Sequence, residues 1–455
     1  MHSLRNFTLC ATFFHAPQCG RIACLEQALV TIDGEGRIGA VILPEEDEYA
    51  AARATAAEHG RLIEFPAGSY VLPGLVDLHI HAPQYPQLGV ALDVPLEQWL
   101  HRYTFPLEAR YADLDFAREA YGALIDDLAA NGTTTAVMFA TIHQPATRLL
   151  ADLAIAKGLR ALVGKVAMDD AAACPDYYRD DSAAVAVAGT RDLIDYIRNH
   201  PDNGEARVLP VITPRFIPSC SNEALRGLGA LAAETGCHVQ THCSESDWEH
   251  GYVIERMGRS DAESLDGFGL LTRRTVLAHS NLISTGDMDL IRSRGSGIAH
   301  CPLSNAYFSS AVFPLRAALE KGVHTGLGTD VSGGPSASLF DNMRMCVAAS
   351  RMLEDGVDPA REPAARGRGG SRVDWQTAFH LATAGGARVL DMATGAFEAG
   401  RHFDAIVVDA ARPSGTIRLL GDKLSPEDIL ARIIYTASKP NIAKTIVGGR
   451  IVHAA

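Results

Sequence analysis

The chain has 455 residues, 47% of them hydrophobic and 21% charged, enough to bury a large core and to carry one big domain beside a smaller one. Its formal net charge of -13 argues against a polyanionic partner, because nucleic acid or an anionic membrane needs clustered Lys and Arg, and the local basic stretch Arg361 to Arg372 is short and glycine-rich. Nine scattered cysteines without a C-x-x-C pair indicate neither a disulfide framework nor a thiolate metal site, and fit reduced thiols in a cytoplasmic protein.

The first twenty residues, MHSLRNFTLCATFFHAPQCG, are broken by Arg, Asn, His and Pro before a long apolar stretch develops, and no run of about 18 apolar residues follows anywhere. We therefore expect neither export nor a membrane span. Short strand candidates joined by glycine-rich turns come next, at Ala28 to Ile32, Arg37 to Val41 and Leu62 to Phe65. From about residue 70 the pattern changes to an apolar or β-branched run, a few polar residues, then an amphipathic stretch. Eight such runs occur: Val71 to His79, Thr133 to Phe139, Ala161 to Met168, Val208 to Pro214, His238 to His242, Thr275 to His279, Gly297 to His300 and His324 to Thr329. Helix candidates between them include Asp115 to Ala130, Asn222 to Thr235 and Phe313 to Lys321, with Gly132 and Gly322 placed as helix stops. Eight β-α alternations predict a closed (β/α)8 barrel of the TIM type over residues 71–399, with a doubly wound open sheet as the alternative. The segments FDAIVVD and TIVGGRIV near the C-terminus resemble the N-terminal strands in style, so residues 1–70 and 400–455 are expected to pair into a small β-sandwich domain.

In such a barrel the ends of the strands share one rim, where the chemistry sits. The polar residues at these ends are unusual for a buried core: His79 and His81 on the first run, Arg215 after the fourth, His242 with Glu245 at the fifth, His279 at the sixth and Asp330 after the eighth. Alternate residues of a strand face the same side, so His79 and His81 can reach one ion at the about 2.0–2.1 Å of a Zn–N bond. Each has a bland alternative: a core histidine satisfied by a hydrogen bond, a helix-capping Asp330, a Glu245–Arg215 ion pair. Their joint placement at one rim, imidazoles with carboxylates, favours a site for Zn²⁺ or Fe²⁺. His101, His143, His238, His300 and His324 lack this partnering and are read as structural. Lys165 falls on the third run, away from where a metal-bridging lysine would sit.

These residues carry a resemblance to the amidohydrolase superfamily: HIH (His79, His81), the histidine of HCSE (His242), that of LAHS (His279) and the aspartate of GTD (Asp330). Longer stretches, PGLVDLHIHAPQY, RYTFPLEAR, NGTTTAVMFATIH, VGKVAMD, ITPRF, IAHCPLSN and GLGTDVSGG, resemble its guanine deaminases. The departures are HCSE where that family has HISE, and Leu303 in CPLSN where it has asparagine. The resemblance implies one zinc per subunit, with Fe²⁺ as an alternative, held by His79, His81, His242 and Asp330. It also implies His279 hydrogen-bonded to the metal's water, Glu245 as proton shuttle, and a purine held by Gln84, Arg215, Phe216, His242, Glu245 and Asp330. The reaction so implied is hydrolysis of guanine to xanthine and ammonia in purine catabolism, by hydroxide generated at the metal and attacking C2, in a cytoplasmic homodimer.

Two other readings remain open on the residues alone. The same ligands suit deamination or dehalogenation of another N-heterocycle, such as a pterin, an oxidised guanine or a triazine. A catalytically silent scaffold would have lost ligands, and none is missing. A deaminase of the cytidine deaminase type needs H-x-E and P-C-x-x-C, and neither frames a site here.

Overall fold

The structure is a computed structural model and describes residues 3–309, 311–420 and 424–455. Eight strands follow one another in chain order around a barrel: Leu75–His81 (β1), Thr133–Phe139 (β2), Arg160–Gly164 (β3), Val208–Pro214 (β4), His238–Cys243 (β5), Thr275–His279 (β6), Gly297–His300 (β7) and His324–Leu327 (β8). From β1 to β8 each pairs in parallel with the next. The seam between β8 and β1 is bridged just past the end of β8. There the Asp330 N–H donates to the His79 carbonyl and the His81 N–H to the Val331 carbonyl, both at 2.8 Å.

All residues of β1, β2, β5 and β6 are buried, because side chains fill the barrel interior and helices cover its outside. This is why these strands read as continuous runs rather than as alternating ones. Helices Leu114–Ala130, Gln144–Lys157, Ala183–Arg198 and Asn222–Thr235 pack against the strands. Asp113 opens the first by accepting from the Asp115 N–H (2.9 Å), and Ser221 opens the last by accepting from the Ala224 N–H (3.0 Å). The expected stops at Gly132 and Gly322 are both left-handed, with φ of 87° and 77°. The helix expected over Phe313 to Lys321 is shorter, Leu315–Glu320, and begins after Pro314.

Three strand expectations change on contact with the fold. The run Val71 to His79 is two strands: Ser69–Pro73 pairs antiparallel with Ala405–Asp409 in a different sheet, and β1 starts afresh at Leu75. The break falls at Pro73, which has no N–H to give a ladder, and at Gly74, whose N–H goes to the Asp404 carbonyl at 2.9 Å. The run Ala161 to Met168 is interrupted at Lys165, whose ammonium turns to Asp180 at 2.6 Å, and resumes as Val166–Ala167. The eighth strand stops at Leu327, because Thr329 is drawn sideways onto Asp77.

The two chain ends meet in one hydrogen-bonded sheet. Its order is Arg450–Ala454, Ile442–Val447, Ala405–Asp409, Ser69–Pro73, Thr8–Gln18, Arg21–Ile32 and Ile38–Ile42, with Leu62–Glu64 parallel to Thr8–Gln18. The central strand Thr8–Gln18 was not among the expected strands. A buried ion pair ties this sheet to the barrel: Arg160 on β3 donates twice to Asp404, at 2.9 and 3.1 Å, and Asp404 also accepts from the Gly448 N–H at 2.7 Å.

Candidate active site

Asp77 sets the geometry where the barrel closes. Its wholly buried carboxylate accepts from the Thr329 N–H (2.9 Å), the Thr329 hydroxyl (2.6 Å) and the His79 N–H (3.3 Å), and so fixes the exit of β8 against β1. Burial still pushes its pKa up, to about 6, against the pull of these hydrogen bonds. Gly328 allows the close approach: a Cβ there would lie 2.9 Å from the His79 Cβ and 3.0 Å from the Cys301 Sγ. Asp330 follows in the left-handed region (φ 51°), as does His279 at the end of β6 (φ 67°), a conformation that non-glycine residues take up at a cost of order 1–3 kcal/mol each.

The result is convergence of side chains from β1, β5, β6 and the segment after β8. The Asp330 Oδ1 lies 3.2 Å from the His79 Nε2 and 3.7 Å from the His81 Nε2, and the His81 and His242 Nε2 atoms are 3.0 Å apart. His279 Nε2 is 3.8 Å from Asp330 Oδ2 and 3.7 Å from Glu245 Oε1. All six side chains are buried. Burial first, then the neighbouring His79, holds His81 and His242 well below the usual imidazole pKa, and burial lowers His279 as well. Against the opposing effect of burial, the surrounding imidazoles hold Asp330 well below the ordinary carboxylate range.

The donor set fits a metal ion. The His242 Nδ1–H donates to the Arg215 carbonyl (2.6 Å) and the His279 Nδ1–H to Asn305 Oδ1 (2.9 Å), so each ring turns an Nε2 lone pair toward the cluster. The Nε2 atoms of His79 and His279 are buried and have no hydrogen-bond partner in the protein. Ligand atoms of His79, His81 and Asp330 lie within 4.8 Å of one another, and those of His79, His242 and His279 likewise.

Glu245 follows β5. Burial, reinforced by the Asp330 charge, pushes its carboxyl up to about 8, so it carries a proton at neutral pH. An amide relay supports it: Asn281 Nδ2 donates to the Glu245 carbonyl (2.8 Å) and Asn305 Nδ2 to Asn281 Oδ1 (2.8 Å). Above the cluster lies a cavity of about 30 Å³ lined by His81, Gln84, Arg215, Glu245, Ser304 and Asp330, and closed by Leu96, Trp99, Leu100 and Phe308. Leu303 is not part of this lining; Ser304 supplies the polar contact there. Phe216 is buried with its ring 6.0 Å from that of His242, but it lines a neighbouring cavity with Phe105 and Trp248.

Sequence reasoning gave no role to Glu108, although it lies in the quoted stretch RYTFPLEAR. Its buried carboxylate takes Arg215 Nη1 at 2.6 Å, Arg215 Nη2 at 3.1 Å and Gln84 Nε2 at 2.9 Å. The partner of Arg215 is therefore Glu108 and not Glu245. Burial opposes the Arg215 charge, but the Glu108 carboxylate more than offsets it and the pKa is raised. Asn305 and Asp77 were missed as well. Among the histidines read as structural, His238 donates to the Leu390 carbonyl at 3.0 Å and His300 packs on Phe313.

Residues 70–452 match the amidohydrolase family. The probable guanine deaminase of Schizosaccharomyces pombe is 38% identical over 84% of this chain and 71% of its own length. Human guanine deaminase is 34% identical over 97% of this chain and 95% of its own. Among solved structures, the guanine deaminase from C. acetobutylicum with guanine bound in its active site matches with a TM-score of 0.87 at 31% identity, covering 98% of this chain and 100% of that one. The chain belongs to the amidohydrolase family, and the relatives it matches along most of its length are guanine deaminases.

Proposed function

We propose that this chain hydrolyses guanine to xanthine and ammonia as a step in purine catabolism, using one divalent metal held by His79, His81, His242 and Asp330. Three imidazoles and one carboxylate suit zinc. The observation that carries the reading is that a single cavity is lined by His81, Asp330 and Glu245 and by Arg215 and Gln84. When bound, the metal supplies Lewis acidity and lowers the pKa of a coordinated water toward about 7, which gives a nucleophile at neutral pH.

The rest of the work falls to side chains. Asp330 accepts a proton from the attacking water, and His279, its tautomer fixed by Asn305, accepts a hydrogen bond from that water at Nε2. As the water oxygen bonds to C2, electron density moves onto N3, where Glu245 delivers its proton. Glu245, left as a carboxylate, takes from Asp330 the proton lost by the water and passes it to the exocyclic amine. The C2–N bond breaks and ammonia leaves, and the C2 hydroxyl proton returns to Glu245 as the C2 carbonyl of xanthine forms. Arg215 has only donors to offer, which suits the O6 acceptor of guanine and opposes the amino group of adenine. Phe216 packs beside His242 and lines the adjoining cavity rather than this one. Nine free cysteines support a reducing, cytoplasmic setting.

The test is ammonia release by purified, zinc-supplemented protein from guanine, adenine, a pterin and a triazine. Turnover confined to guanine supports the proposal. Equal turnover of guanine and adenine, or turnover of the triazine alone, contradicts it.

A further inference from the structure

The Gln84 amide has only one workable orientation. Its Nε2 faces the Glu108 carboxylate at 2.9 Å and its Oε1 accepts from the Ser332 N–H at 3.4 Å. Turned over, it would set an oxygen against a carboxylate that only accepts and an NH₂ group against an N–H that only donates. One lone pair of that oxygen is taken by Ser332, and the second N–H of the amide has no acceptor in the protein and is left to give to the cavity. Arg215 is held by the same carboxylate through Nη1 and Nη2, and its guanidinium lies over the Phe105 ring at 5.1 Å. Its remaining N–H groups are donors too. Glu108 itself is fully buried and is not among the residues that line the cavity.

We infer that Glu108 is a positioning residue that turns Gln84 and Arg215 into a wall of hydrogen-bond donors, so that the site selects purines bearing an acceptor at position 6. The inference rests on the proposed purine chemistry and adds the element that sets its selectivity. The ligand class is the 6-oxopurines, and 6-aminopurines are refused because their amino group meets donors on both Gln84 and Arg215. With Glu108 made neutral, the Gln84 amide is free to invert and present its oxygen, and an amino group at position 6 then finds an acceptor.

Calorimetric binding to the zinc-loaded protein tests this without turnover at C2, because hypoxanthine and adenine differ at position 6 and both lack the 2-amino group. The wild type is expected to prefer hypoxanthine by about 100-fold or more, and E108Q to narrow the preference to about 10-fold or less. E108Q leaves Arg215 buried without its counter-charge, so Gln84→Met is the second variant, keeping the Glu108–Arg215 pair intact. It is expected to weaken hypoxanthine by about 10-fold with adenine little changed. Unchanged preference in a folded, zinc-loaded E108Q protein, or equal weakening of both ligands in Gln84→Met, overturns the inference. Guanine turnover is read separately: ammonia release with an unaltered preference removes the role of Glu108 and leaves the reaction, whereas an altered preference without ammonia release removes the reaction and leaves the wall.

Discussion

His81 and His242 point their Nε2 atoms at each other across 3.0 Å, while the Nδ1 proton of His242 is already committed to the Arg215 carbonyl. One proton between the two rings could relieve this pair, but the Nε2 atoms of His79 and His279 are buried without partners in the same cluster. A cation offsets all of these lone pairs together, with Asp330 beside it to balance the charge. This favours the proposed metal centre over a satisfied histidine core.

Glu245→Gln keeps the side-chain shape and removes the titrating proton. Metal content and guanine binding are expected to stay near wild type while kcat falls by about 10²- to 10⁴-fold. Near-normal kcat in steady-state assays would remove Glu245 from proton transfer.

Asn305→Ala removes the acceptor that fixes the His279 tautomer and breaks the relay through Asn281 to the Glu245 carbonyl. We expect a drop in kcat of about 10- to 100-fold with zinc retained, read by kinetics together with metal analysis. An unchanged kcat would show that His279 keeps its orientation without Asn305.

Asp404 carries a pH-dependent share of stability. Burial works against its charge, but Arg160 and the hydrogen bonds it receives hold its folded pKa below the ordinary 3.8. The unfolded chain therefore binds more protons between the two values, so this contribution is present above about pH 4 and is lost as pH falls through the folded pKa. Asp404→Asn is expected to cost about 3–5 kcal/mol near neutrality, by leaving Arg160 buried and unpaired, and to flatten the loss of stability on acidification. Urea melts from neutral pH to about pH 3 measure both. An acid slope equal to that of the wild type would place the sensitivity elsewhere.

The clustered histidines and Asp330 were legible in the sequence because each stands at or just past the end of an apolar run, where a titratable side chain is out of place. Glu108 was not: in a short helix among Arg102, Arg110 and Tyr103 it reads as surface charge, and only the fold shows it buried under Arg215. The run from Val71 hid a change of sheet at Pro73–Gly74, because both halves are apolar and buried. Thr8–Gln18 escaped notice because Cys, His and Pro interrupt its pattern, although eight of its eleven residues are buried. Spacing along a strand reveals what one element presents to the rim. Pairings such as Arg215 with Glu108, 107 positions apart, exist only after the elements are assembled.

The most direct test of the metal-centred account is the metal content of the purified protein, measured alongside guanine deamination before and after chelation. The account predicts about one zinc per chain, loss of ammonia release on its removal and recovery on its return, with Asp330→Ala failing to retain the metal. Full guanine turnover by protein stripped of metal would contradict it.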